Sequence, residues 1–566
     1  MPPVRILMLF VRNVVVAFLA LSQATFRKLF RTKPVEWVVY ELSGRVGRGS
    51  PDSHTSFAWR APHGPRISTL VQLERELALL RETPDVRGVL IKLRDVRCTA
   101  AVFRELRGLL RDFRASGREV VFHADSLDTR EYWLASVGSR VWLMPRGRLD
   151  LIGFAASSSA AARPLKKLGV VFDVIRAGVF KSAGELFGAE KVSAEQQRQL
   201  DDLIGDLNDL FIGDVADGRG ISREAVQKAV DAGPYSSVGA KAAGLVDDLF
   251  YADEVRAKLG RDGARARLGP FSAVLANKAP PADWRPLRDR RTRIAVVDIE
   301  GVIASGKSRA IPGMASTAGS ETLVATLSRL RYADSVKAVV LNIDSRGGSA
   351  LASDLIWRAA KRLAEVKPVV AYLDTVAASG GYYIAAAARE IWSAPTCITG
   401  SIGVFMLRPN ASGVYEKLEV DRSTVRRGEH ASIYQPDHSL TEDERDVLQR
   451  DVLQTYDDFI QTVAEGRHLP DARVRELAEG RVYLATRAKQ VGLVDSLGTL
   501  EQAVEAAARL AQVKGATRVQ RLRSKQAGWR EVIRTLRRGE GPDALLKMWF
   551  PKLDTIQALW TGEMPR

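Results

Sequence analysis

The chain repeats itself, and that limits its fold more than any other feature. The stretch from Phe211 to Leu249 (FIGDVADGRG…YSSVGAKAAGLVDDL) resembles the stretch from Phe459 to Leu497 (FIQTVAEGRH…YLATRAKQVGLVDSL). Phe211, Gly218, Tyr235 and Gly244 fall opposite Phe459, Gly466, Tyr483 and Gly492 in a single register. With small shifts the match runs upstream. VVYELSGRV (38–46) pairs with VVDIEGVI (296–303), and VLIKLRD (89–95) with VVLNIDS (339–345). VVFHAD (120–125) pairs with VVAYLD (369–374), EYWLAS (131–136) with GYYIAA (381–386), and LIGFAA (151–156) with SIGVFM (401–406). Whatever unit 36–260 builds, 293–515 must build again. A Pro-, Ala- and Arg-rich linker, 261–292, separates the two. Segment 1–35 precedes them, and a basic tail, 516–566, lies outside the repeat.

Each repeat reads as α/β. Short β-branched runs such as AVVDI, KAVVLNI and PVVAYL alternate with helical patterns such as SETLVATLSRLRYA (320–333) and DLIWRAAKRLAEV (354–366). Strands apolar on both faces and alternating with helices imply parallel βαβ units with right-handed crossovers. Functional groups then belong at strand C-terminal ends and helix N-termini.

Composition removes several function classes. Two cysteines, Cys98 and Cys397, give no disulfide framework and read as two separate buried thiols. Six histidines in 566 residues argue against a His-rich metal enzyme, and His430 and His438 read as surface residues. The net charge of +17 is concentrated at 285–293 and 518–538. No aromatic-interleaved RNA motif, zinc finger or basic zipper accompanies it, so solvated helix faces are the simpler reading and no nucleic-acid partner is expected.

The N-terminus asks for a membrane. Residues 6–24 (ILMLFVRNVVVAFLALSQA) are flanked by Arg5 and by Arg27, Lys28, Arg31 and Lys33. An uncleaved signal-anchor helix is the first reading; an interfacial amphipathic helix and a cleaved signal peptide are the others. Aromatic residues in 541–566 fit either membrane-surface contact or packing on the protein.

Two motifs compete for the chemistry. GVIASGKS (301–308) satisfies the phosphate-loop pattern. A phosphate loop needs a helix starting at its Lys-Ser, however, and Pro312 and Gly313 fall where the first turns should run. The second candidate is the pair NIDSRGGSA (342–350) and DTVAASGGYYIAAAA (374–388). Gly347 and Gly348 let main-chain amides approach a substrate closely. Ser379 stands among small residues where a strand gives way to an Ala-rich helix, and the Gly380 amide can face an oxyanion. The structural alternative is that Ser379 only caps the helix.

No histidine is placed to activate this serine. A lysine can do so if burial brings its pKa from about 10.4 toward 7. Aligning Gly178 with Gly428 sets Lys181 opposite Ala431, and aligning Tyr132 with Tyr382 sets Ser379 opposite Thr129. Each half thus keeps one member of a Ser/Lys pair and lacks the other.

With these residues in view, the chain resembles the long, tandem-domain form of signal peptide peptidase A, a Ser/Lys protease family of the Clp-protease/crotonase superfamily. DSRGGS (344–349), AASGGYYIA (377–385), TGSIGVF (399–405), GVFKSAGELF (178–187) and GRVYLATRAKQVGLVDSLG (480–498) carry the resemblance, over about 36–515. It departs at Arg346, where the family usually has Pro, and altered turn stiffness is the expected effect. The resemblance implies two tandem ClpP/crotonase-like α/β domains behind a hydrophobic anchor. It makes Ser379 the nucleophile, Lys181 the base, Gly348, Gly380 and Gly347 the oxyanion donors, and Ser401 the residue that holds the lysine amine. It implies no metal or organic cofactor, extended hydrophobic peptides such as signal peptide remnants as substrate, and a bowl-shaped homotetramer. The bacterial plasma membrane is the implied location, with the domains extracytoplasmic. An inactive scaffold of the same fold, a crotonase-like acyl-CoA enzyme and a phosphate-loop nucleotide-binding protein are the alternatives.

Overall fold

The computed structural model describes residues 34–48, 67, 69–277, 292–309, 316–421, 423–425, 427–513 and 517–522. In the first unit, β1 (Trp37–Arg45), β2 (Gly88–Arg97), β3 (Glu119–Ala124) and β4 (Arg140–Leu143) are laid side by side, all parallel. A later strand, β5 (Val171–Ala177), leaves this sheet; β6 (Asp248–Leu249) and β7 (Leu268–Gly269) return to its two edges, beside β4 and β1. The second unit repeats the plan. β8 (Thr292–Glu300), followed by the short β9 (Val302–Ala304), leads to β10 (Val336–Ser345), β11 (Val369–Ala378) and β12 (Ile398–Gly400). Within it β8, β10, β11 and β12 are parallel neighbours. Glu390–Ser393 also pairs with β11 and carries Ser496–Leu497 on its far side, as β4 carries β6; again one strand, β13 (Val404–Asn410), leaves, while β14 (Val482–Leu484) pairs antiparallel with β12 and β15 (Thr517–Leu522) closes the edge beside β8.

The sequence explains these sheets. Runs such as Val89–Leu90–Ile91 and Val339–Val340–Leu341 are buried on both faces, the pattern of a parallel sheet covered by helices on each side. Crossover helices start at side-chain caps: Thr99 Oγ1 accepts from Val102 at the head of α1 (Ala100–Ala115), and Ser349 Oγ accepts from Ala352 in the second unit. The duplication extends to single bonds. Tyr132 donates its hydroxyl to the Leu245 carbonyl at 2.8 Å, and Tyr382 donates to Leu493 at 2.7 Å.

Two boundaries move. Leu268–Gly269 pairs with Trp37–Val38, and Phe271 and Val274 are buried in the first core, so the stretch up to Asn277 belongs to the first unit rather than to a linker. Thr517–Leu522 pairs with Thr292–Val297 and belongs to the second unit rather than to a tail. Neither strand carries a strong apolar pattern; each is held by a sheet edge built far away in sequence. The N-terminal run and residues 523–566 lie outside the described residues. Among the described residues no helix is long and apolar enough to cross a membrane.

The strands that leave the sheets join the two units. β5 and β13 form an antiparallel ribbon from Val171↔Asn410 to Ala177↔Val404. Buried Arg408 on β13 donates to Asp173 of β5 at 3.0 Å and to the carbonyls of Ile433, Gln435 and His438. Arg445 reaches the other Asp173 oxygen at 2.9 Å. Elsewhere Arg48 binds Glu105 of its own unit and Asp374 of the other. The ribbon delivers the loop after β5, with Lys181, onto the second unit.

The phosphate-loop candidate does not fold as one. Val302–Ala304 is a strand, no helix begins at Lys307 or Ser308, and among the described residues the next helix starts at Ser320. Ser308 Oγ accepts from the Gly319 amide, and the Ser308 amide donates to Thr322.

Candidate active site

Strand β11 ends at Ser379, which opens a short helix, α2 (Gly380–Ala385). Its backbone has φ 53° and ψ −122°, a left-handed conformation that costs a non-glycine residue on the order of 1–3 kcal/mol. Its main chain is fixed on both sides: the amide donates to Gly400 at 2.9 Å and the carbonyl accepts from Tyr383 at 2.9 Å. The hydroxyl makes no capping bond, which removes the helix-cap alternative. A strained strand-to-helix turn of this kind holds a serine oxygen free at the end of a sheet.

That oxygen meets the lysine of the other unit. Lys181 is 3% exposed, and its Nζ lies 3.1 Å from Ser379 Oγ, 2.8 Å from the Ser401 carbonyl and 3.0 Å from Ser401 Oγ. Burial pushes the amine down to about 7 from 10.5, with no charged partner contributing. Lys181 thus touches both of the serines singled out in the sequence, across a span of more than two hundred positions.

The glycine turn is braced from below. Ser345 donates its hydroxyl to the Gly301 carbonyl at 2.5 Å and accepts from the Gly347 amide at 3.1 Å. On β9, Ile303 donates to Gly347 O at 3.0 Å and accepts from the Ser349 amide at 2.9 Å. A residue in a parallel ladder bonds to both neighbours of its partner, so the N–H of Gly348 turns away from β9. The Gly380 amide, first in its helix, has no intrahelical acceptor. Gly348 and Gly380 thus fit the expected donors, but Gly347 does not, because Ser345 already takes its amide. Gly347 serves proximity instead: a Cβ there would fall 2.8 Å from Ser379 Cβ and 2.7 Å from the Gly380 nitrogen. The Ser345 bond closes the turn without proline, and Arg346 beside it is an exposed side chain.

The corresponding place in the first unit has lost each part. Arg97 and Cys98 stand where Gly347 and Gly348 are required. Thr129 is buried, donating to the Asp150 carbonyl and accepting from the Ile152 amide, each at 3.0 Å. Burial pushes the Cys98 thiol up to about 11, away from thiolate chemistry. Cys98 and Cys397 are separate free thiols, but Cys98 is only half-buried. Thr129→Ala and Cys98→Ser are expected to leave peptide hydrolysis within about twofold of wild type, measured as kcat/KM. His430 and His438 are half-buried against Asp443 and against Asp437 and Glu444, and are partners of neither Ser379 nor Lys181.

Sequence reasoning missed Ser345, Ile303 and the segment 479–481. Ser345 lay inside a quoted motif, yet which amide its hydroxyl closes on depends on backbone direction. Ile303 acts through main-chain atoms, which leave no residue signature, and in 479–481 the Glu479 carboxylate and the Gly480 backbone find their partners only once the two units meet.

A serine oxygen on a strained strand end beside a buried lysine amine whose pKa burial lowers is the constellation of a serine-type peptidase. Comparison of the sequence with known proteins agrees. The family model described as Peptidase family S49 matches twice, at 112–265 and 361–514, more than half of the chain. The chain belongs to that family, as a tandem member. It is similar to "Serine protease SPPA, chloroplastic" of Arabidopsis thaliana, with 31% identity over 79% of this chain and 66% of that protein. Proteins named "Protease 4" from Haemophilus influenzae and Salmonella typhi are each 29% identical, covering 81% and 79% of this chain and 75% and 73% of their own lengths.

Proposed function

We propose that this chain is a membrane-associated serine endopeptidase acting on extended hydrophobic peptides such as signal peptide remnants, with Ser379 as nucleophile and Lys181 as general base. The observation that carries the reading is the 3.1 Å approach of a buried, charge-isolated amine to a serine hydroxyl. A neutral amine has two N–H groups and one lone pair. The Ser401 carbonyl can only accept, and Ser401 Oγ takes the second N–H. The lone pair is left for the Ser379 hydroxyl proton.

In the reaction, Ser379 Oγ attacks the scissile carbonyl as its proton passes to Nζ. The Gly348 and Gly380 amides receive the oxyanion. The ammonium then protonates the leaving amine, and water, deprotonated by the same lysine, releases the acyl group. No step calls for a metal or organic cofactor. Gly348→Ala is expected to lower kcat about 100–1000-fold, as loss of an oxyanion donor does. Its added Cβ would fall 2.0 Å from the Ile303 carbonyl oxygen and displace the turn.

The substrate class and location rest on the family and on the apolar run 6–24 between basic flanks. In this reading the run anchors the chain to a bacterial plasma membrane, the units lie on the extracytoplasmic side, and four chains assemble. Hydrolysis of a quenched apolar peptide, absent in Ser379→Ala, tests the activity. Release from membranes on deleting residues 1–35, with hydrolysis retained, tests the anchor.

A further inference from the structure

Lys181 reaches Ser379 from the far unit, so its reach must be set by whatever lies beneath its main chain. That is the segment Glu479–Gly480–Arg481, immediately before β14. On one side it holds the lysine loop: the Phe180 amide donates to the Glu479 carbonyl at 2.7 Å, and the Val179 amide to the Glu479 carboxylate at 3.0 Å. On the other it holds the Ser401 turn: the Gly480 amide donates to the Ile402 carbonyl at 2.8 Å, and the Ser401 amide to the Arg481 carbonyl at 2.7 Å. Tyr456 accepts from the Glu479 amide at 3.3 Å and ties the segment to the helix Glu442–Arg467. The Arg481 guanidinium lies 4.2 Å from the centre of the Phe180 ring.

Contact here is as close as chains can pack. A Cβ on Gly480 would fall 2.5 Å from the Lys181 nitrogen and 2.7 Å from its Cα and Cβ. A Cβ on Gly178 would fall 2.5 Å from the Glu479 carbonyl carbon, and one on Gly403 would fall 2.9 Å from Gly480 Cα. Glu479 and Gly480 have φ of 53° and 75°, so the segment is fixed in a left-handed turn.

We propose that Glu479–Gly480–Arg481 is the positioning element of the Ser379–Lys181 pair, clamping the lysine loop of one unit to the Ser401 turn of the other, with Gly480 setting the reach of Nζ. This rests on the Ser/Lys reading above. Charged groups on the surrounding elements are engaged away from Nζ: Glu185 with Arg176 and Ser193, Glu479 with the Val179 amide, Arg481 over Phe180, and Asp202 with Arg487.

The experiment compares Gly480→Ala, Glu479→Ala, Glu479→Gln and Lys181→Ala in the full chain, reading kcat, KM, the pH profile and thermal unfolding. A misplacement of about 1 Å costs about 100-fold in rate. Gly480→Ala is therefore expected to lose about 100-fold in kcat with KM within about threefold, and to move its acid limb to higher pH as water reaches the amine. Glu479→Ala is expected to lose about tenfold in kcat, with Glu479→Gln near wild type because its amide oxygen still accepts from Val179. Wild-type kcat and acid limb in a folded Gly480→Ala overturn the proposal. If that variant does not fold, the glutamate pair decides, and equal kcat for Glu479→Ala and wild type overturns it. Full activity in Lys181→Ala would instead sink the Ser/Lys reading itself.

Discussion

Lys181→Met is expected to lower kcat/KM by about 10⁴–10⁶-fold, as loss of one member of a nucleophile–base pair does, with Ser379→Ala equally damaged and the double variant no worse. Peptide hydrolysis by the three variants checks it, and additive losses would contradict a joint role. The same substitution has a second signature, in stability. The Lys181 pKa is about 7 in the folded chain against 10.5 for the free side chain. Between these values the unfolded chain binds the extra proton, so stability falls as pH drops from 10.5 to 7 and levels off below. The span is on the order of a few kcal/mol. Methionine has no such titration. The stability of Lys181→Met relative to wild type is therefore expected to be greatest at pH 7 and below, and to shrink toward pH 10. Thermal unfolding at the two pH values measures this, and a pH-independent difference would mean that the amine is solvated.

A pH profile gives the second large effect. In the proposed mechanism the base works only when neutral, so kcat/KM is expected to rise through about pH 7 and flatten above it. Two units below the midpoint about 1% of the plateau remains. Lys181→Arg keeps its proton at every accessible pH and is expected to be inactive throughout. An acid limb below pH 5 in wild type would point to a carboxylate or histidine as base.

Much of this arrangement could be read from residues alone. The repeat marked two equivalent units, and complementary loss of Thr129 for Ser379 and Ala431 for Lys181 marked one shared site. Side-chain chemistry leaves that kind of trace. What could not be read is carried by the main chain. Gly347 and Gly348 are identical in sequence, yet one amide is consumed by Ser345 and the other turns away from Ile303. Likewise β7 and β15 take their place from sheet edges assembled by residues more than two hundred positions away. The reach of Lys181 depends on a glycine, Gly480, whose importance lies in having no side chain.

The separation of the reacting pair has a consequence during synthesis. The amine and the hydroxyl stand 198 residues apart in the chain. The lysine leaves the ribosome first, buried against nothing, with its proton still on. The serine follows without a base, and the residues that clamp the two together, 479–481, come later still. A nascent chain is therefore chemically silent until nearly all of it has been made and both halves have docked.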